Sequence, residues 1–292
     1  MLELRTTRWR GGPGSRTVAA MSSRMHQVAV ENEEIAERGS YRVRSGASVE
    51  IAGLLATARA GTVSYGPAES LRGGPRGPLR GQPEVTSEGS MQAARRLAEA
   101  GGDRVAVLNF ASARNPGGGY LRGAKAQEED LCRSALLYRC LLEAPDYYEA
   151  HRASPDLRYS DRVIWSPQVP VIRDGRGDLL AEPYTVSFLT SPAPNAGQLA
   201  LRSPDRPVDV RDLLAVRAAR VLAVAAQHGV RELVLGAWGC GVFRNDPAVV
   251  AEAFETALTE HGAAFDRVVF AVWDRTPVSA NRAAFERRFG GA

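Results

Sequence analysis

The chain has 292 residues, 44% of them hydrophobic, and a formal charge of +4, enough apolar material for one large core or two small ones. No run of about 18 apolar residues exists to cross a membrane, and no apolar stretch near the N-terminus suggests secretion, so a soluble, cytoplasmic protein is expected. The positive charge is confined to residues 1–25, where Arg5, Arg8, Arg10, Arg16 and Arg24 outweigh Glu3; the remainder is neutral, which argues against general nucleic-acid binding and requires any anionic ligand to be held by a local site.

Cys132 and Cys140 lie eight residues apart in an expected helix, a rise of about 12 Å that no disulfide can bridge. With Cys240 they fit a reducing compartment. His26, His151, His228 and His261 lack ligand spacing and no CxxC occurs, so no metal site is expected.

In chain order, residues 1–21 read as a flexible basic tail, and residues 22–292 as a single domain. A helix is expected over 22–38, ended by Gly39, and a shorter one over 49–58. Residues 66–83 (GPAESLRGGPRGPLRGQP) hold too much Gly and Pro for an element and read as a solvated, mobile loop. Its arginines, Arg72, Arg76 and Arg80, are alternatively placed to touch a polyanion. Residues 105–110 (VAVLNF) form a buried strand, 128–142 a helix, 163–165 and 184–190 further strands. A strong helix covers 210–228, with His228 as a cation favourable to its C-terminal end. Residues 233–238 form a strand, and 247–261 a helix with Asp246 as N-cap and Pro247 in first position. A last strand over 268–273 and a helix from about Ser279 complete an α/β layered fold.

Ligands of such sheets sit beyond the carboxyl ends of strands, and two loops there stand out. The first runs from Asn109 through Asn115 to Gly117, Gly118 and Gly119. Three glycines are either a plain flexible loop or a place where backbone approaches a ligand closely; neither the P-loop nor the dinucleotide spacing is present. Gln127-Glu128-Glu129-Asp130 follows at a helix start, where acids complement the helix dipole whatever else they do. Adjacent helical residues diverge by about 100°, so Glu128 and Glu129 are expected to point differently. The second loop, Gly239-Cys240-Gly241-Val242-Phe243 before the helix at Pro247, offers small residues and open amides as a phosphate cradle. Phe243 is a flat ligand surface or an ordinary core aromatic, and Cys240 has no histidine nearby to activate it as a nucleophile.

Together these segments resemble the bacterial-type poly(ADP-ribose) glycohydrolases. The resemblance rests on Gly117-Gly118-Gly119, a short spacer and Gln127-Glu128-Glu129, within NFASARNPGGGYLRGAKAQEE. It is supported by Tyr159-Ser160-Asp161, the segment Thr190-Ser191-Pro192-Ala193-Pro194-Asn195-Ala196-Gly197, and the 239–243 loop. It spans about residue 22 to the C-terminus. It implies a macrodomain-like three-layer α/β/α sandwich with a mixed central sheet and an N-terminal helical extension. By position it implies that Glu129 is the catalytic acid, that Glu128 binds the ribose next to the cut, and that Asn115 contacts the distal ribose. Gly117, Gly118, Gly119 and Gln127 line the ligand, and Gly239, Cys240, Gly241, Val242 and Phe243 hold the diphosphate.

The activity so implied is hydrolysis of ribose–ribose O-glycosidic bonds, with ADP-ribose as product and no metal or redox cofactor, a monomer reversing ADP-ribosylation as in a DNA damage response. Such a reaction needs a proton on the leaving oxygen and stabilisation of an oxocarbenium-like centre. Glu129 is expected to supply the proton, its carboxyl raised by burial and by Glu128. Rival readings are a hydrolase of single ADP-ribose units on proteins, a non-catalytic ADP-ribose reader, and a nucleic-acid binder using the basic tail.

Overall fold

The computed structural model describes residues 13–290 apart from 73, 103, 206 and 207, with side chains from residue 22 onward. The tail expected over 1–21 therefore lies partly outside the described residues. Where it enters them, its backbone is already helical: α1 runs Pro13–Arg38 and stops at Gly39, whose φ of +77° and amide bond to Ile35 O (2.8 Å) close the helix.

A small hairpin of β1 (Ser40–Arg42) and β2 (Ser48–Glu50) follows, then α2 (Ala52–Ala60) and β3 (Val63–Tyr65). Next come β4 (Glu84–Thr86), α3 (Ser90–Glu99) and β5 (Val105–Phe110). A 3-10 turn at Tyr120–Arg122 leads to α4 (Gln127–Ser134), α5 (Leu137–Leu141) and α6 (Pro145–Ala153). The long strands β6 (Val163–Arg173) and β7 (Leu179–Ser191) precede α7 (Ala196–Arg202) and α8 (Arg211–Gln227). The chain then runs through β8 (Glu232–Leu235), α9 (Pro247–His261), β9 (Arg267–Ala271) and α10 (Ala280–Phe289).

Seven strands form one sheet in the order β3-β6-β7-β5-β8-β9-β4. β7, β5, β8, β9 and β4 are mutually parallel, while β6 is antiparallel to both β7 and β3. The alternation of a strand between two faces sorts the core. Val105 and Val107 of β5 face α1–α6, with Leu97, Leu131 and Tyr148, whereas Ala106 and Leu108 face α8–α10, with Leu222, Phe254 and Phe285. This is the three-layer sandwich with a mixed sheet, and the helical extension α1 packs on its first face.

Four expectations change. The helix expected over 128–142 is broken, because Ala135 turns extended (φ −122°, ψ 159°) and bridges Val171 of β6, and Leu136 N donates to Pro170 O (3.0 Å). The strands expected over 163–165 and 184–190 are parts of one long hairpin. Its outer portion is hidden in the sequence by Pro167, Pro170 and Pro183; Pro167 falls at the register shift between Ser166 and Val169. Among the described residues of 66–83 there is no helix or strand, yet they are docked. Arg72 N donates to Gln227 Oε1 (2.7 Å), Gly77 exchanges main-chain bonds with Glu260 and Ala263, and Arg76 pairs with Glu260 (3.0 Å). The segment is long because it joins β3 to β4, the two opposite edges of the sheet; at about 4.8 Å per strand that crossing is close to 30 Å. Finally, His228 is no C-terminal cation: it stacks on Trp165 (4.4 Å), bonds Tyr65 Oη (2.8 Å), and burial holds its pKa below the usual histidine value.

Candidate active site

β5 is the central strand, and its carboxyl end opens between β7 and β8. Asn109, fully buried there, donates through Nδ2 to Thr190 Oγ1 (3.1 Å) and to Glu128 Oε1 (3.2 Å). The other oxygen of Glu128 accepts from Ser112 N (2.7 Å). Glu129 Oε1 accepts from Gly119 N (2.8 Å), and its Oε2 accepts from Ala126 N (2.9 Å) at the N-cap of α4. The capping geometry favoured by any acid at this position therefore also turns the Glu129 carboxylate toward the glycines.

Gly117 and Gly118 both have φ near +60°, the left-handed region that glycine enters without penalty. A Cβ on Gly118 would lie 2.5 Å from Glu129 Oε1 and 3.1 Å from Glu128 Oε2. The two carboxylates thus converge on one glycine, although their Cα–Cβ bonds diverge around the helix. Three rotatable bonds and separate main-chain anchors bring the side chains back together. The divergence expected from helical geometry holds for the Cβ atoms and fails for the oxygens.

Burial raises one carboxyl of this pair. The Glu128 carboxyl is pushed up to about 8, chiefly by desolvation and further by Glu129, against the pull of the Ser112 and Asn109 hydrogen bonds. The carboxyl that burial raises belongs to Glu128, the side chain that runs under the end of β5.

Gln127 serves the strand. Its Oε1 accepts from Phe110 N (2.9 Å) and its Nε2 donates to Leu108 O (2.8 Å) and Ser90 Oγ (3.1 Å), which fastens α4 to β5. Asn115 is exposed beside the glycines, its amide nitrogen donating to Ser112 Oγ (3.2 Å).

The second loop leaves β8 and enters α9. Asp246 Oδ1 accepts from Ala248 N (2.8 Å) as the N-cap and Pro247 opens the helix, both as expected; such a cap stabilises by about 1 kcal/mol. Gly239 has φ +71°, and a Cβ there would overlap Ala193 and come within 2.5 Å of Asn245 Nδ2. Buried Asn245 ties Pro194 O (2.9 Å) to Gly239 O (3.1 Å), and Gly197 N donates to Phe243 O (2.9 Å). The loop is thereby clamped to residues 191–197. Gly241 and Val242 are exposed, and among the described residues the amides of Gly241, Val242 and Phe243 donate to no protein acceptor. Phe243 is half-buried against Tyr159 (ring centroids 6.0 Å), so it is neither a core aromatic nor a free one. Cys240 makes a poor nucleophile, since burial pushes its thiol up to about 12.

Two residues with no role in the sequence reading complete the site, Asn109 and Arg217. Arg217, wholly buried on α8, donates to Asp161 Oδ1 (2.9 Å), Pro192 O (2.7 Å) and Arg158 O (3.0 Å). It joins the Tyr159-Ser160-Asp161 segment to the 190–197 segment, and Tyr159 between them has φ +59°. Removing one partner of such a buried pair costs about 3–5 kcal/mol. The available signal was a single cation at core-facing helical spacing among Leu214, Ala218 and Val221. Among the described residues no group of three His, Cys, Asp or Glu side chains is placed to hold a metal ion.

The site therefore joins a paired-acid floor under a glycine turn to a loop of open amides, with residues 191–197 between them. A family model for the catalytic domain of microbial-type PARG matches residues 29–174. The poly(ADP-ribose) glycohydrolase (PARG) structure from Thermomonospora curvata is 49% identical, with a TM-score of 0.82, over 91% of this chain and 100% of that one. The same protein bound to the inhibitor ADP-HPD is 50% identical, with a TM-score of 0.82 and the same coverage of 91% and 100%. The Deinococcus radiodurans PARG in complex with ADP-ribose is 44% identical, with a TM-score of 0.74, over 83% of this chain and 98% of that one. Among the curated proteins none matches. The family match covers half of the sequence and these likenesses nearly all of it, and the chain belongs to the microbial-type poly(ADP-ribose) glycohydrolases.

Proposed function

We infer that the chain hydrolyses the ribose–ribose O-glycosidic bonds of poly(ADP-ribose) and releases ADP-ribose. The observation that carries this reading is the convergence of Glu128 and Glu129 on Gly118, beneath a loop able to take a diphosphate. Support comes also from the relatives, whose structures hold ADP-ribose and the inhibitor ADP-HPD.

The chemistry follows from the geometry. Exposed amides of Gly241, Val242 and Phe243 at the loop before α9 favour an anionic diphosphate, and Phe243 with Tyr159 offers an apolar wall to the adjoining ribose. Asn115 reaches the distal ribose. Gly117–Gly119 lets the sugar approach the carboxyls without a side chain in the way. With Glu128 lifted to about 8, the acid pair holds a proton at neutral pH. Glu128 hands that proton to Glu129, which delivers it to the bridging oxygen as the C–O bond breaks, and Glu128 orients the ribose on the other side of the bond. The resulting carboxylate then draws a proton from the attacking water, which returns the pair to its starting state. Glu129 and Glu128 are the catalytic residues of this reading. Gln127 contributes by holding α4 against β5.

The protein acts as a cytoplasmic monomer that reverses ADP-ribosylation. Three free cysteines, two of them buried, suit a reducing compartment.

The test is digestion of labelled poly(ADP-ribose), separating free ADP-ribose from longer products, with singly modified protein as a parallel substrate. Wild type is expected to release ADP-ribose from polymer. Glu129→Gln is expected to lose about 10³-fold in turnover, the scale of general acid–base catalysis, with ADP-ribose affinity within about threefold by calorimetry. Normal cleavage by the variant would remove Glu129 from its role, and release only from singly modified protein would replace the substrate.

A further inference from the structure

α4 is only eight residues long, too short to be stable alone, and its last carbonyls need partners from elsewhere. Leu131 O is taken by Ala135 N (2.8 Å). The next two, Cys132 O and Arg133 O, are both taken by Asn32 Nδ2 (3.3 and 2.9 Å), from α1. Asn32 has no exposed surface. Its Oδ1 accepts from Arg173 Nε (2.7 Å), and Arg173 is in turn held by Glu31 (2.6 Å) and Gly177 O (2.9 Å). Donor and acceptor ends of the amide therefore face opposite chemistry, which leaves a single orientation for it.

The same helix also grips the other wall of the acid pair. Tyr120, next to the Gly119 amide that binds Glu129, is buried with its single hydroxyl donor 3.3 Å from both Ala29 O and Glu33 Oε1, and Arg139 pairs with Glu33 (2.6 Å). His26 Nδ1 donates to Leu121 O (2.7 Å). One rigid element thus sets both the glycine turn and the far end of the two-turn helix that carries Glu129. The diphosphate loop shares none of these ties; it is clamped to residues 191–197.

Resting on the activity inferred above, we propose that Asn32 is a positioning residue for catalysis: by capping α4 from α1 it holds the Glu129 carboxylate at the reacting oxygen, and it does not contribute to ligand affinity. A misplacement of about 1 Å at a reacting group can cost about 10²-fold in rate. The consequence is a split between turnover and binding that a purely structural tie would not produce.

The experiment compares kcat on poly(ADP-ribose) with the Kd for ADP-ribose in Asn32→Asp, Asn32→Leu and Asn32→Ser. Asn32→Asp preserves volume and the Arg173 contact but turns an acceptor toward two carbonyls, and Asn32→Leu removes both functions. Asn32→Ser retains one hydroxyl donor. The expected result is a 10- to 100-fold lower kcat in the Asp and Leu variants, a smaller loss in Ser, and Kd within threefold throughout. Arg44→Ala, an exposed ion pair on the same side of the molecule, is expected to leave both unchanged. A cooperative thermal melt reports that a variant is folded. Unchanged kcat in folded variants overturns the proposal, and so does a parallel collapse of affinity and turnover in all three. Absence of polymer cleavage by wild type would instead sink the activity on which the proposal rests.

Discussion

The two loops at the top of the sheet begin alike, each leaving a buried strand and entering a helix, and end in opposite states. In the acid loop the charged groups are already held by protein: both oxygens of Glu128 and both of Glu129 have donors, and Gln127 is bonded to β5 and to Ser90 of α3. In the 239–243 loop the anchoring is done by Asn245, Trp238 and Gly197, while the amides at the tip face outward. The difference separates two tasks. A group that transfers a proton must be held before the substrate arrives, whereas a group that binds an anion must keep its donors for the ligand.

The sharpest way to break this contrast is a side chain in the acid floor. Gly118→Ala places a Cβ 2.5 Å from Glu129 Oε1 at φ +58°, and is expected to lower kcat by about 10²- to 10³-fold with a rise of no more than about tenfold in the ADP-ribose Kd. The mirror experiment is Gly239→Ala, where Ala193 and Asn245 block the new methyl. Here the Kd should rise about 10- to 100-fold and the kcat at saturation should change less, with a stability loss of about 1–3 kcal/mol from overpacking. Should both variants show the same split, the division of labour is wrong.

Proton occupancy gives a smaller and graded effect. With Glu128 at about 8, turnover should fall above that pH by about tenfold per unit as the pair loses its proton. Stability moves in the same direction. The folded value lies above the ordinary 4.5, so the contribution of Glu128 is complete below about 4.5 and is lost as pH rises through about 8. Melting curves between pH 5 and 9 should show this decline in wild type and a flatter profile in Glu128→Gln. The smallest effect is predicted at Gly241, where a Cβ meets nothing within 4 Å. Gly241→Ala should change kcat and Kd by less than about threefold, and a larger loss of affinity would mean that the ligand comes closer to this Cα than the loop alone requires.

Much of the site was legible because its parts are near one another in the chain. Gly117, Gly118, Gly119, Glu128 and Glu129 fall within one stretch of NFASARNPGGGYLRGAKAQEE, and the Asp246-Pro247 start of α9 obeys local capping rules. What stayed hidden had no local signature. β3 and β4 are three residues each, too short for a period-two pattern. Composition marks residues 66–83 as lacking regular structure, but it is silent on the crossing between sheet edges that pins them to α8 and α9. The break at Ala135 follows from a strand offered by β6, not from any helix breaker in the segment.

From residues alone came the alternating α/β order, the glycine turn followed by acids at a helix start, and the loop of small residues before α9. These are consequences of hydrogen bonding and sterics over a few neighbouring positions. Only the folded chain decided that Glu128 is buried with its carboxyl raised, that Gln127 serves the strand, and that Asn32 and Arg217 brace the site across sequence separations of 100 and 56 residues. Desolvation and the pairing of distant polar groups depend on what the fold brings close in space, and neighbours along the chain do not carry that information.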